Sequence, residues 1–384
     1  MRFEFVTASR ILFGEGTSRE LGTLVEPFGT RALVAVFRST ARIQPLLDSL
    51  SAAGINVTLF TVEGEPTVEM VVAGADAARS AAAQVVVSIG GGSVMDAGKA
   101  IAALSTNLGD PYDYMEVIGK GKPLTVAPLP FIAVPTTAGT GSEVTRNAVV
   151  ASHDHQVKVS IRHPLMLAKI AVIDPELTYN LPPEVTATTG MDALTQCIEP
   201  YTSNAANPIT DALSSDGIRH AARSLRRAYD NGQDKAARAD MAYASLLGGL
   251  SLANAKLGAV HGFAGPIGGM FNAPHGAVCA VLLPHVMAAN VHALESRAPD
   301  SGYVQRYQQV AQWLTGDPQA SAVDGVAFVR GLGEALCIPP LSTYGITSAD
   351  FPKIVEQSAK ASSMKGNCIT LTSAELTAIL AAAL

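Results

Sequence analysis

Gln84-Val85-Val86-Val87-Ser88-Ile89-Gly90-Gly91-Gly92-Ser93 decides how this chain folds. After Gln84, Val85–Ile89 is an apolar run broken only by one small hydroxyl, the pattern of a strand buried on both faces of a parallel sheet. Three glycines then force a tight turn, and Ser93-Val94-Met95 opens a helical pattern that runs to about Leu104. A glycine turn between a buried strand and a helix lets backbone approach a ligand closely. The helix start adds unpaired N–H groups and a positive dipole end, which favour a diphosphate. The pattern is not G-x-G-x-x-G, so it departs from the usual dinucleotide fingerprint.

Working outward, the same alternation repeats. Ala32–Val36, Asn56–Phe60, Phe131–Val134 and Ile170–Ile173 read as strands, and 42–53 and 68–82 as helices between them. Arg2–Val6 alternates with period two, and Arg10–Phe13 follows it; both read as strands. Strand–helix–strand order implies a parallel sheet with crossover helices. After Leu181-Pro182-Pro183 no strand pattern remains. Helical patterns occupy 184–202, 207–229, 235–255, 276–293, 302–315, 321–336, 349–361 and 373–383. The expected organisation is an α/β dinucleotide-binding domain over 1–180 and an all-helical domain over 181–384.

A second loop supports a nucleotide. Pro135-Thr136-Thr137-Ala138-Gly139-Thr140-Gly141-Ser142 follows the next buried strand and carries four hydroxyls. Loops at the carboxyl ends of parallel strands meet over one crevice. A cluster of helix caps and turns, which Ser and Thr also favour, would have the same composition.

Composition limits the partners. The 384 residues are 48% hydrophobic and 16% charged, with a net charge of −6. No basic tract exists to neutralise a phosphate backbone, so nucleic acid is not an expected partner. No signal-peptide pattern and no uninterrupted apolar run of membrane-crossing length are evident, and a cytoplasmic location without a membrane partner is expected. Cys197, Cys279, Cys337 and Cys368 are scattered singly and read as reduced core thiols.

The helical half carries the candidate chemistry. Asp192 and Gln196 are four residues apart and share a helix face. His261 opens a glycine-rich segment, and His275 follows Pro274 at the start of another helix. A carboxylate, an amide oxygen and two imidazoles offer ligands to one divalent cation.

Gly90–Ala100, Pro135–Thr145, Leu181–Pro183, Gly190–Thr195, His261–Gly265 and Ala273–Gly276, in this order, resemble the iron-containing (group III) alcohol dehydrogenases. The resemblance runs from about residue 5 to the C-terminus. It implies a site in a cleft between an α/β nucleotide domain and a helical domain. It implies that Gly91, Gly92, Ser93 and Asp96 hold the diphosphate and nicotinamide side of NAD or NADP. Thr136, Thr137 and Thr140 would line the nucleotide, with Lys158 near a ribose. The expected reaction is hydride transfer between the nicotinamide and a small aldehyde or ketone, with its alcohol as the reverse substrate. A homodimer joined through N-terminal strands is implied, for which Phe3, Phe5 and Ile11 offer an edge.

Three departures from that pattern matter. The family's metal set is Asp, His, His, His; Asp192, His261 and His275 fill three positions and Gln196 the remaining one. An amide oxygen is a poorer partner for Fe²⁺ or Zn²⁺ than imidazole. A cation mechanism therefore stands beside a metal-independent one of the maleylacetate reductase type, in which His261 and His275 polarise the carbonyl. A lyase of the dehydroquinate synthase type is the more distant alternative. Gly265 occupies a position where the family often has a second histidine, so the proton must come from His275, His261, Lys365 or water. Finally, no acid ends the strand at Val34–Phe37; Arg38 and Ser39 offer contacts to a 2′-phosphate instead.

Overall fold

The computed structural model describes residues 2–38, 41–152, 154–155 and 157–384. Ser39, coupled with Arg38 above, lies outside the described residues. Two compact units result: one comprises Phe5–Thr137 and Gly141–Thr178, the other Tyr179–Leu384 with Ala138–Thr140 and the first four residues.

The first unit is built on a six-stranded, wholly parallel sheet. Its strands are β1 (Arg10–Phe13), β2 (Arg31–Val36), β3 (Asn56–Thr61), β4 (Val85–Gly90), β5 (Phe131–Pro135) and β8 (Ile170–Ile173), in the order β1-β8-β5-β4-β2-β3. All six residues of β4 and all five of β5 are buried, which is why they read as unbroken apolar runs. The helices α1 (Leu21–Val25), α2 (Gln44–Ala52), α3 (Val68–Ser80) and α4 (Gly92–Thr106) connect and cover the strands. Leu21, Leu33, Leu50, Ile89 and Ile132 are fully buried in this unit. Close packing of α4 on β4 requires glycine: a Cβ on Gly98 would lie 1.9 Å from Ser88 Oγ.

Two segments differ from the sequence reading. Arg2–Val6 is not a strand. Its period-two pattern is real, but among the described residues it is not part of the sheet, whose edge strand β1 pairs with β8. The stretch between β5 and β8, to which the sequence assigned no element, contains a hairpin, β6 (Asn147–Ser152) with β7 (Val157–Arg162). One face of β6 is buried, which gives the hairpin its alternating pattern.

The second unit is helical: α5 (Pro183–Thr202), α6 (Pro208–Asp230), α7 (Lys235–Asn254), α8 (Ala259–Phe271), α9 (His275–Arg297), α10 (Tyr303–Thr315), α11 (Ala322–Ala335), α12 (Phe351–Lys360) and α13 (Ser373–Ala382). Pro182-Pro183 starts α5 because proline at the first helical position loses no hydrogen bond. Asn207 caps α6 through a reciprocal box with Thr210. Met191, Leu194, Ile218, Leu225, Phe263 and Val278 share one apolar core. Helix α9 is long and apolar enough to cross a bilayer, yet 72% of its apolar window is buried inside the protein.

Candidate active site

Three helices of the second unit bring the candidate metal ligands together. Asp192, Gln196 and Glu199 lie at i, i+4 and i+7 on α5 and point the same way. Asp192, Gln196 and Glu199 are all buried, as is His261 in the first turn of α8. His275 is the first residue of α9, and its side chain is 38% exposed, so it marks the open side of the cluster. Asp192 Oδ1 lies 3.3 Å from His261 Nε2 and 3.8 Å from His275 Nε2. The two imidazole rings are 5.3 Å apart, centre to centre.

Glu199 sets the orientation of His261. Its Oε2 is 2.6 Å from His261 Nδ1, and its Oε1 accepts from the Val260 N–H at 2.7 Å. The carboxylate thus satisfies a free donor at the start of α8 and directs Nε2 at Asp192. Asn367 Oδ1 accepts from the neighbouring Ala259 N–H. Gly258 makes this possible, since a Cβ there would lie 2.8 Å from Glu199 Oε1. At the other end, a Cβ on Gly276 would meet Thr188 carbonyl oxygen at 2.7 Å, which holds the start of α9 tight against α5.

The charges respond to this crowding. Burial works against the imidazolium of His261, but Cys279, Glu199 and Asp192 outweigh it and hold His261 well above the usual histidine range. His275 is raised to about 9, burial being outweighed by Cys279 and Asp192. Burial likewise opposes ionisation of Asp192, and His275, His261 and the Gln196 amide overcome it, leaving its carboxyl below the usual range.

Asp192 Oδ1 and Gln196 Oε1 are buried without a hydrogen-bond partner. Buried acceptors left unpaired are costly, and a cation removes that cost. With two imidazole nitrogens beside them, the donor set fits a divalent metal ion. Cys279, read from sequence as a plain core thiol, belongs to the same group: ligand atoms of Asp192, His261, His275 and Cys279 all lie within 4.8 Å of one another. The available signal was its i+4 spacing from His275 on one helix face. Of the other cysteines, Cys197 is buried, Cys368 half-buried and Cys337 exposed, so Cys337 is not the core thiol expected.

The nucleotide candidates sit at the carboxyl ends of β4 and β5. Thr136 N–H donates to Gly90 carbonyl oxygen at 2.9 Å, and a Cβ on Gly91 would lie 3.3 Å from Thr137 Cγ2. The two loops therefore touch, and Gly92 and Ser93 form the first turn of α4 beside them. Asp96 has partners for both oxygens: Ser142 Oγ donates to Oδ1 at 2.5 Å and Val149 N–H to Oδ2 at 3.0 Å. Fully buried Lys99 lies 3.1 Å from Asp96 and donates to Ser142 Oγ and Thr145 Oγ1. Lys158 on β7 is 3.3 Å from Glu65, and Arg38, just past β2, is an exposed side chain 3.7 Å from Glu63. Thr140 is grouped with the helical unit, where a Cβ on adjacent Gly139 would meet Thr189 of α5. Lys365 is exposed in a short turn after α12.

Sequence profiles of two linked families match nearly the whole chain: "Iron-containing alcohol dehydrogenase" over residues 8–175 and "Fe-containing alcohol dehydrogenase family, C-terminal" over 186–384. The chain belongs to the iron-containing alcohol dehydrogenase family. It is 36% identical to alcohol dehydrogenase 4 of Saccharomyces cerevisiae over 377 residues, 96% of this chain and 95% of that one. It is 36% identical to 1,3-propanediol dehydrogenase of Klebsiella pneumoniae over 367 residues, 93% and 92% of the two chains. Among solved structures, that of a 1,3-propanediol oxidoreductase is similar over the full length of both chains, with a TM-score of 0.92 and 34% identity. An α/β unit followed by a helical unit is the architecture of iron-containing alcohol dehydrogenases, and this chain is an oxidoreductase of that family acting on alcohols and aldehydes.

Proposed function

We propose that this iron-containing alcohol dehydrogenase interconverts a small alcohol and its aldehyde or ketone using NAD or NADP, with a divalent cation held by Asp192, His261 and His275. The observation that carries this reading is the convergence of those three side chains on a buried, orphaned carboxylate oxygen of Asp192. When bound, the nicotinamide supplies or takes up the hydride, and the cation polarises the carbonyl oxygen and stabilises the alkoxide.

The protein's own part is positioning and proton control. Glu199 keeps a proton on His261 Nδ1 and frees Nε2 for the cation, so His261 cannot also be the proton donor. Gly265 leaves no imidazole one turn further along α8. With both imidazoles holding the cation, the proton comes from solvent water at the open side of the cluster, which half-exposed His275 marks. In the α/β unit, Gly91, Gly92 and Ser93 present backbone N–H groups to a diphosphate, and Thr136, Thr137 and Thr140 line the nucleotide. Asp96 shapes that loop from behind through Ser142, and Lys158 serves the ribose. Arg38 at the end of β2 accommodates a 2′-phosphate. The protein is cytoplasmic and dimeric, pairing with a second copy through edge strand β1, which carries Ile11; Phe3 and Phe5 precede that strand and do not extend its edge.

The test is direct. Purified protein supplied with NADH or NADPH and a series of short aldehydes should oxidise the nucleotide, and with NAD and the alcohol should reduce it. No turnover with either nucleotide across the series would end the proposal. Arg38→Ala should raise the KM for NADPH and leave that for NADH nearly unchanged.

Metal-independent catalysis by the two imidazoles is the second reading, motivated by the neutral amide of Gln196 beside Asp192. Chelation separates the two: only the metal-independent enzyme keeps its rate.

A further inference from the structure

Cys279 lies one turn after His275 on α9 and is completely buried. Its Sγ is 3.8 Å from His261 Nε2 and 3.7 Å from His275 Nε2. Asp192 Oδ1 completes the group at 3.3 Å and 3.8 Å from the same two nitrogens. A tetrahedral zinc centre has bonds of about 2.0–2.3 Å, so its ligands are separated from each other by about 3.3–3.6 Å. These four separations are within about half an ångström of those edges, and all the ligand atoms lie within 4.8 Å of one another.

The donor chemistry selects the ion. A thiolate is a soft ligand that favours Zn²⁺ over harder divalent cations, and imidazole suits zinc equally well. One carboxylate and one thiolate bring two negative charges, which balance a divalent cation in a site that is otherwise buried. The one partly open member, His275, leaves a side from which a fifth oxygen ligand can approach.

We propose that the helical unit binds Zn²⁺ through Asp192, His261, His275 and the thiolate of Cys279. The thiol proton is released to solvent as the metal binds. The inference rests on the reading that this cluster is the cation site of the dehydrogenase, and adds the fourth ligand and the identity of the metal.

The experiment uses the full-length protein. Zinc-loaded wild type should show one sulfur neighbour at about 2.3 Å in its zinc X-ray absorption spectrum, among nitrogen and oxygen neighbours at about 2.0–2.2 Å. Protein stripped and reloaded with Co²⁺ should show a near-ultraviolet thiolate-to-cobalt charge-transfer band. Cys279→Ser should lose that band and bind zinc more weakly by more than the roughly 10–100-fold caused by losing a partner behind a ligand. Exposed Cys337→Ser should keep both. A spectrum of wild type with nitrogen and oxygen neighbours only, or a charge-transfer band that survives in Cys279→Ser, overturns the inference. The wild-type spectrum needs no variant to fold. Aldehyde turnover without metal-bound sulfur would sink the zinc–thiolate site and leave the dehydrogenase reading intact. Sulfur-bound zinc in a protein inert to both pyridine nucleotides would do the reverse.

Discussion

Glu199 shows how much of this site depends on one residue behind the ligands. It accepts from the Val260 N–H and from His261 Nδ1, joining the start of α8 to α5. Glu199→Gln keeps the size but replaces the charged acceptor, and metal affinity should fall by roughly 10–100-fold. Titration against a competing chelator measures this; unchanged affinity would show that His261 is oriented by packing alone. A second buried carboxylate acts in the α/β unit. Glu143 is raised from 4.5 to about 7 by burial, against the opposing pull of its own backbone hydrogen bond and Lys99. Its folded-state value is above its unfolded one, so its contribution is complete below about pH 4.5 and is lost as pH rises through about 7. That range corresponds to at most about 3 kcal/mol. Glu143→Gln should therefore gain stability relative to wild type between pH 5 and pH 8, read from denaturant midpoints at both pH values. A constant difference across the range would mean that Glu143 titrates normally. The structure clusters Asp192, His261 and His275, which the sequence already placed together by residue type. Cys279 joins that cluster without having been expected there, because its signal is helix phase with His275 and not C-x-x-C spacing.

Elements were legible where one periodicity dominated. Strands β2, β4, β5 and β8 are buried on both faces and show it as apolar runs. Helix α8 was harder, since Gly262, Gly265, Gly268, Gly269 and Pro266 all argue against a helix on propensity. Burial of Val260, Phe263, Ala264 and Ile267 in the helical core overrides that preference. The β6–β7 hairpin was hidden by the polar residues at its turn. Glycines within helices separate two cases that sequence cannot. A Cβ at Gly98 would be 1.9 Å from Ser88 Oγ and 2.9 Å from Phe131, so Gly98→Ala should destabilise by about 1–3 kcal/mol. Exposed Gly331 on α11 has no neighbour within 4 Å of such a Cβ, and Gly331→Ala should stabilise by about 0.5–1 kcal/mol. Thermal denaturation of the two variants should move in opposite directions; equal shifts would refute the packing argument for α4 on β4.

At the scale of the molecule, each unit has its own apolar core and its own chemical task. The α/β unit brings two glycine- and threonine-bearing loops side by side at the carboxyl ends of β4 and β5. The helical unit closes α5, α8 and α9 around one carboxylate, two imidazoles and a thiol. The two-part organisation was legible because strand patterns stop before Pro182. The central claim is that turnover with a pyridine nucleotide requires one divalent cation at Asp192, His261 and His275. It is tested most directly by following NADH oxidation with a small aldehyde before chelation, after chelation, and after return of one equivalent of metal per chain. The account predicts a rate that disappears with the metal and returns in proportion to the equivalents added. A full rate in protein shown by elemental analysis to hold no metal would contradict it.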